Sequence, residues 1–83
     1  MTRLHALLIE FGSYDLPLEQ VAKKYLDMEV KRAAGLAALQ KLPIPAYRAG
    51  TQKSNWLVSA KDLADLLDQR HNEAAQVWRK MQA

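Results

Sequence analysis

The sequence predicts a single, mainly α-helical domain that carries one small β-hairpin. A chain of 83 residues has room for one hydrophobic core. Its apolar fraction of 49% and charged fraction of 25% are typical of a folded globular protein. Apolar residues recur at helical spacing in four segments, and one pair of short strand-like segments interrupts them. Residues 1–83 are therefore expected to form one domain, with 71–83 as a helical extension.

The first predicted helix covers residues 2–11, where apolar residues recur at i, i+3, i+4 and i+7. Its apolar face consists of Leu4, Leu7, Leu8 and Phe11. Gly12 is positioned to end it, and residues 12–16 are expected to form a turn. Pro17 has the fixed φ suited to the first helical position, so the second helix is predicted at about 17–26.

A third helix is predicted at about 29–41, because the segment is rich in Ala and Leu until Pro43 and Pro45 end it. With the second helix and a short turn at 27–29 it forms a helix-turn-helix candidate. On a helical wheel Leu36 and Leu39 point one way. The opposite side carries Lys31, Ala34, Gly35, Ala38 and Lys41.

The predicted hairpin joins residues 46–48 and 56–58 around a polar loop that contains Gly50. Ser59 and Asp62 have the spacing of a capping box, which opens a last helix from 60 to about 80. The order helix, helix, helix, hairpin, helix is that of a winged helix-turn-helix domain with a long C-terminal helix.

Composition argues against several classes of function. The chain contains no cysteine, and its two histidines, His5 and His71, are far apart, so a zinc site or other metal site is not expected. No nucleophile–base set and no Gly-rich phosphate loop is found, so we expect neither an enzyme nor a cofactor. The apolar stretch at residues 4–9 is too short to span a membrane, which favours a cytoplasmic protein.

Positive charge is concentrated in the middle of the chain. The net charge is +3, whereas residues 17–61 hold eight Lys and Arg against three Asp and Glu, which gives +5. Such an excess is what neutralisation of nucleic-acid phosphates requires. An ordinary solvated surface is the other interpretation.

The third predicted helix fits the major groove of DNA, because small side chains at its centre allow close approach while its cations reach phosphates or bases. The alternative is that the small residues let another helix pack closely. The hairpin loop, polar and basic, suits contact with sugar and phosphate. The residues predicted to contact double-stranded DNA are Lys24, Lys31, Arg32, Ala34, Gly35, Ala38, Lys41, Arg48, Thr51, Gln52, Lys53, Ser54 and Asn55.

The last helix carries an apolar stripe that something must cover. Its outer half includes Ala74, Val77, Trp78 and Met81. Either the apolar face of the first helix covers them, or a second copy of the chain does. A homodimer would use Leu4, Leu7, Phe11, Val77, Trp78 and Met81.

Three stretches resemble the pyocin activator family. They are PLEQVA at 17–22 with YL at 25–26, LPIP at 42–45 leading through Arg48 to TQKS at 51–54, and DLA at 62–64 with Asp68 and Arg70. The resemblance extends from about residue 4 to residue 70, and the QKS run followed by DLA is its most specific part.

The resemblance implies a transcriptional activator that binds promoter DNA and is related in shape to the winged-helix excisionases of phages. Thr51, Gln52, Lys53 and Ser54 would then be the family's signature wing residues. Two other hypotheses stay open at this point. One is an excisionase-like architectural protein that bends DNA, and the other is a module that binds a partner protein.

Overall fold

The computed structural model describes residues 1–50 and 55–82. Within these residues the elements are α1 (Arg3–Phe11), β1 (Asp15–Pro17), α2 (Leu18–Lys24), α3 (Val30–Ala38), β2 (Tyr47–Arg48), β3 (Trp56–Ser59) and α4 (Ala60–Gln82). The expected class, mainly helical with a small β-hairpin, is confirmed. No helix of the described residues is both long and apolar enough to cross a membrane.

Local signals correctly predicted where α1 ends and where α4 begins, whereas Thr2, expected inside the first helix, caps it. The Thr2 hydroxyl accepts a hydrogen bond from the backbone N–H of His5, and α1 ends at Gly12, whose φ is 67°. The Ser59 hydroxyl accepts a hydrogen bond of 3.0 Å from the Asp62 backbone N–H, so α4 starts at the predicted cap.

The sheet has one strand more than the predicted hairpin. β2 pairs with β3 as expected, but β3 also pairs with β1 in the antiparallel order β1-β3-β2. The expected turn at 12–16 is therefore partly wrong, because Asp15–Pro17 is extended. Pro17 lies on an edge strand, where its missing N–H leaves no sheet bond unmade.

The two middle helices are shorter than predicted. α2 begins after Pro17 and ends at Lys24, and Asp27 follows with a φ of 50°. α3 ends at Ala38 instead of about Lys41, because Gln40 adopts a φ of 56° and reverses the chain. The Lys41 N–H bonds the Leu36 carbonyl at 2.9 Å, as in a Schellman motif. α3 thus ends several residues before Pro43, and the prolines are not what ends it.

The core lies where the sheet, α2, α3 and the first part of α4 meet. Its largest fully buried side chains are Leu16, Val21, Val58 and Leu63. α1 packs along α4. Leu7 of α1 is 3% exposed and belongs to this core. Leu7 therefore has no surface to offer to a second copy, which corrects its place in the predicted dimer surface.

Candidate nucleic-acid interface

α3 packs on α2 through two small residues and presents its other side to solvent. Ala33 and Ala37 are buried, and their short side chains let the two helices lie close together. The exposed residues are Lys31, Arg32, Gly35, Ala38 and Leu39, whereas Ala34 is half-buried. The prediction that Leu39 points inward is wrong, because its side chain is 64% exposed. Leu39 is the C-cap, where the helix gives way to the reversed chain at Gln40.

Gly35 faces open space. A Cβ atom placed on it would meet no heavy atom within 4 Å among the described residues, and its φ is not in the left-handed region. Neither packing nor backbone geometry in this part of the chain therefore requires a glycine here. At Gly35, the packing alternative has no neighbouring helix to support it within residues 1–50 and 55–82.

Most cations of the middle segment lack an acidic partner within the described residues. The ion pairs found there are Arg3–Asp68, Lys24–Glu10 and Lys61–Asp65. Lys23, Lys31, Arg32 and Lys41 are exposed and belong to none of these pairs. Lys41 follows α3 instead of lying on it, so it stands beside the end of the helix. These side chains are available to an anionic partner.

Lys24 differs from the other predicted contact residues because it is tied to α1. Its Nζ lies 2.7 Å from Glu10 Oε2, and the Tyr25 hydroxyl donates a hydrogen bond to the other carboxylate oxygen at 2.7 Å. The hydrogen bond from Lys24, followed by that from Tyr25, lowers the pKa of Glu10. The carboxylate in turn raises the pKa of Lys24. Its charge is partly compensated by Glu10, so Lys24 is less available to an anionic partner than the cations without an acidic neighbour in the described part of the chain.

Arg48 of the hairpin stacks on a tryptophan. Arg48 and Trp56 are cross-strand partners, and the guanidinium carbon lies 4.4 Å from the centroid of the Trp56 ring. The Nε atom of Arg48 is buried and has no hydrogen-bond partner among the described residues. Trp56 is half-buried and packs against the hydrophobic core. Its position opposite Arg48 in the predicted hairpin was the available signal for the stacking.

The described residues place α2 in contact with both α3 and β3. The exposed face of α3 and the hairpin thus flank one supporting helix. Asn55 is exposed at the start of β3. Four predicted wing residues, Thr51, Gln52, Lys53 and Ser54, lie outside the described residues. In the described part no group of three or more His, Asp or Glu side chains could hold a metal ion.

A protein-family model identifies the family of the chain. The family model described as "Pyocin activator protein PrtN" matches residues 3–74. The chain belongs to the pyocin activator family. The match confirms the resemblance seen in the sequence, and it spans every element up to the first part of α4. Neither the curated proteins nor the solved structures give a significant match. In this pyocin activator family member Val77, Trp78 and Met81 lie beyond the matched span.

Proposed function

We propose that this member of the pyocin activator family is a sequence-specific DNA-binding regulator, without enzymatic activity, that activates transcription of pyocin or phage genes. In this proposal the chain is a winged helix-turn-helix domain. α2 and α3 form the helix-turn-helix unit, α3 enters the major groove, and the β2–β3 hairpin is the wing that contacts the adjacent backbone.

The observation that carries the proposal is the outward face of α3. It combines Lys31 and Arg32 with the open position at Gly35 and the small side chain of Ala38. A helix in a groove about 12 Å wide must approach the base edges closely, which small central residues allow. The cations at its N-terminal end are then within reach of phosphates or of guanine, which arginine recognises with two hydrogen bonds.

The hairpin supports the proposal through Arg48. Its stacking on Trp56 limits the number of side-chain conformations, so less entropy is lost when the guanidinium binds a phosphate. Lys41 is exposed just after α3, and Asn55 is exposed just before β3. Thr51, Gln52, Lys53 and Ser54 belong to the proposed wing on the grounds of the family resemblance.

The test is the binding of duplex DNA from the promoters next to the chain's own gene, measured by fluorescence anisotropy at several salt concentrations. Lys31→Ala is expected to weaken binding to all duplexes and to reduce the slope of log K against log salt by about 0.9 for each phosphate that the variant no longer neutralises. Arg32→Ala is expected to weaken binding to the target by about 1–3 kcal/mol if it contacts a base, with a smaller effect on unrelated duplexes.

Lys61→Ala is the matched control. Lys61 is an exposed cation of α4 that pairs with Asp65 at 2.9 Å, and its removal changes the net charge by the same amount. Its variant should bind as the native chain does. Equal losses of DNA affinity in all three variants would mean that only the net charge of the chain matters, and not the position of the cation. The absence of any salt-dependent affinity for duplex DNA would favour the protein-interaction hypothesis.

A further inference from the structure

The far half of α4 projects beyond the rest of the molecule. α1 covers only the first half of α4, and the ion pair between Arg3 Nε and Asp68 Oδ1, 2.7 Å long, marks the level at which α1 begins. Residues 72–82 continue for about 16 Å at 1.5 Å per residue. The exposed fractions of their large apolar side chains are 61% for Val77, 63% for Trp78 and 78% for Met81.

These residues are not scattered around the helix. Numbered as a heptad with His71 at position a, residues 71–82 have apolar or small side chains at most positions on the side that faces a partner helix, with His71 and Gln82 at its two ends. This side, here called the seam, consists of His71, Ala74, Ala75, Val77, Trp78 and Met81. The positions that face away hold Asn72, Glu73, Gln76, Arg79 and Lys80, all polar. A helix that remained in water would have no reason to gather its large apolar side chains on one side.

We infer that the seam pairs with the seam of a second copy in an antiparallel arrangement. In the register that overlaps the projecting halves, Ala74 of each chain lies opposite Trp78 of the other copy. A large and a small side chain then meet twice, which fills space without steric conflict. A parallel pair would instead set the two copies of Trp78 side by side, and it would align the cations at 79 and 80 with their own equivalents.

Charge and shape agree with the antiparallel register. It sets Glu73 one residue, about 1.5 Å, from the level of Lys80 of the other copy, so unlike charges lie on the same flank of the pair. It also sets Met81 opposite His71 of the other copy. His71 borders a depression at the start of α1, lined by Met1, Thr2, Arg3, Ala6, Asp68 and His71. The end of one seam therefore meets a concave surface on the other chain.

The size of the seam predicts a weak dimer. Two Trp78 side chains with their Val77 and Met81 neighbours would bury on the order of 1,000 Å² in total, which is at the low end for specific interfaces. Two copies held on neighbouring DNA sites would pair more readily, because the pairing is then intramolecular. The seam beyond residue 74 lies outside the span that the family model matches. The inference does not depend on the proposed DNA binding.

Sedimentation velocity over a range of chain concentrations tests the pairing. The native chain is expected to shift with rising concentration toward twice the monomer mass. Trp78→Glu should remain monomeric and folded, since the side chain is 63% exposed and lies outside the buried core. Gln76→Glu is the matched control, because it adds the same charge two residues away on the outward side. A native chain that stays monomeric would overturn the inference, and so would a dimer that Trp78→Glu leaves intact.

Disulfide formation tests the direction of the pair. The chain has no cysteine, so each introduced thiol is unique. An equimolar mixture of His71→Cys and Met81→Cys is expected to yield mainly the mixed disulfide, because these positions face each other. Predominant self-linking of Met81→Cys would indicate a parallel pair and overturn the register. Loss of binding to anionic lipid vesicles in Trp78→Glu, with a monomeric native chain, would assign the seam to a membrane surface instead.

Discussion

Two glycines have opposite structural roles. Gly12 ends α1 with a φ of 67°, a conformation that costs an L-residue about 1–2 kcal/mol. Gly35 lies inside α3 with ordinary helical geometry and open space around it. The backbone needs the first glycine and does not need the second.

The same substitution is therefore expected to act in opposite directions at the two positions. Gly35→Ala should raise the free energy of unfolding by about 0.5–1 kcal/mol, because alanine loses less backbone entropy in a helix. Gly12→Ala should lower it by about 1 kcal/mol, because the left-handed φ becomes strained. Urea denaturation followed by circular dichroism measures both.

A loss of stability in Gly35→Ala would show that the position is more crowded than the structure indicates. Gly35→Leu extends the comparison to function, because leucine also favours a helix but occupies the space where α3 would approach DNA. A folded Gly35→Leu chain that binds its target duplex as tightly as the native chain would exclude close approach at this point.

At the scale of elements, α3 ends through the backbone conformation of one residue. Gln40 has a φ of 56°, which is rare for a residue other than Gly, Asn or Asp. The hydrogen bond from the Lys41 N–H to the Leu36 carbonyl holds the chain in this reversal. The exposed position of Lys41 beside the helix end depends on it.

Gln40→Gly is expected to raise the free energy of unfolding by up to about 1 kcal/mol, since glycine adopts the left-handed conformation without strain. Chemical denaturation measures the change. Gln20→Gly is the control, because Gln20 is an exposed glutamine within α2 and its replacement by glycine should be destabilising there. A destabilised Gln40→Gly chain would mean that the glutamine side chain itself stabilises the turn.

Elements with local signals were predictable, and those that depend on distant partners were not. Gly12 marks the end of α1 because it adopts the left-handed conformation, and Ser59 marks the start of α4 because its hydroxyl accepts a hydrogen bond from the backbone N–H three residues later. β1 has only three residues, and its pairing partner lies about 40 positions later, so no periodicity reveals it. The end of α3 depends on the positive φ of Gln40, which the sequence does not predict because glutamine rarely adopts this conformation.

The same division applies to the candidate interface. The outward placement of Lys31 followed from the helical wheel, which did not assign Arg32 to the same face. The capture of Lys24 by Glu10 joins residues 14 positions apart and required the packing of α1 on the rest of the chain. Stacking of Arg48 on Trp56 required the hairpin register.

At the scale of the whole molecule, one hydrogen bond joins the two outer strands. The Tyr47 hydroxyl of β2 donates to the Asp15 carboxylate of β1, and β3 lies between them. This hydrogen bond, followed by partial burial and the charge of Asp15, raises the pKa of Tyr47 to about 12 from 10.0. Between about pH 10 and pH 12, Tyr47 therefore keeps its proton in the folded chain and loses it in the unfolded chain.

Stability is therefore expected to fall as the pH rises from about 10 through about 12. The raised pKa contributes stability that is fully present below pH 10 and is lost above it. Tyr47→Phe should lower stability at neutral pH and flatten the alkaline decline, as measured by urea denaturation at a series of pH values. Tyr14→Phe is the control, since Tyr14 contributes to the raised pKa of Tyr47 only through its charge, less than the hydrogen bond, the burial and the charge of Asp15 do. An unchanged alkaline decline in Tyr47→Phe would contradict the assignment.

The pairing of β1 with β3 has a consequence for synthesis of the protein. Leu16 is fully buried, and its strand partner is Val58. The core beneath the proposed DNA-binding unit of α2 and α3 is therefore incomplete until the chain has been synthesised past Ser59. Contacts so distant in sequence form late and together. A ribosome-bound or truncated fragment ending before Trp56 should hold no folded α2–α3 unit, so the proposed DNA-binding surface forms only after residue 59 has been translated.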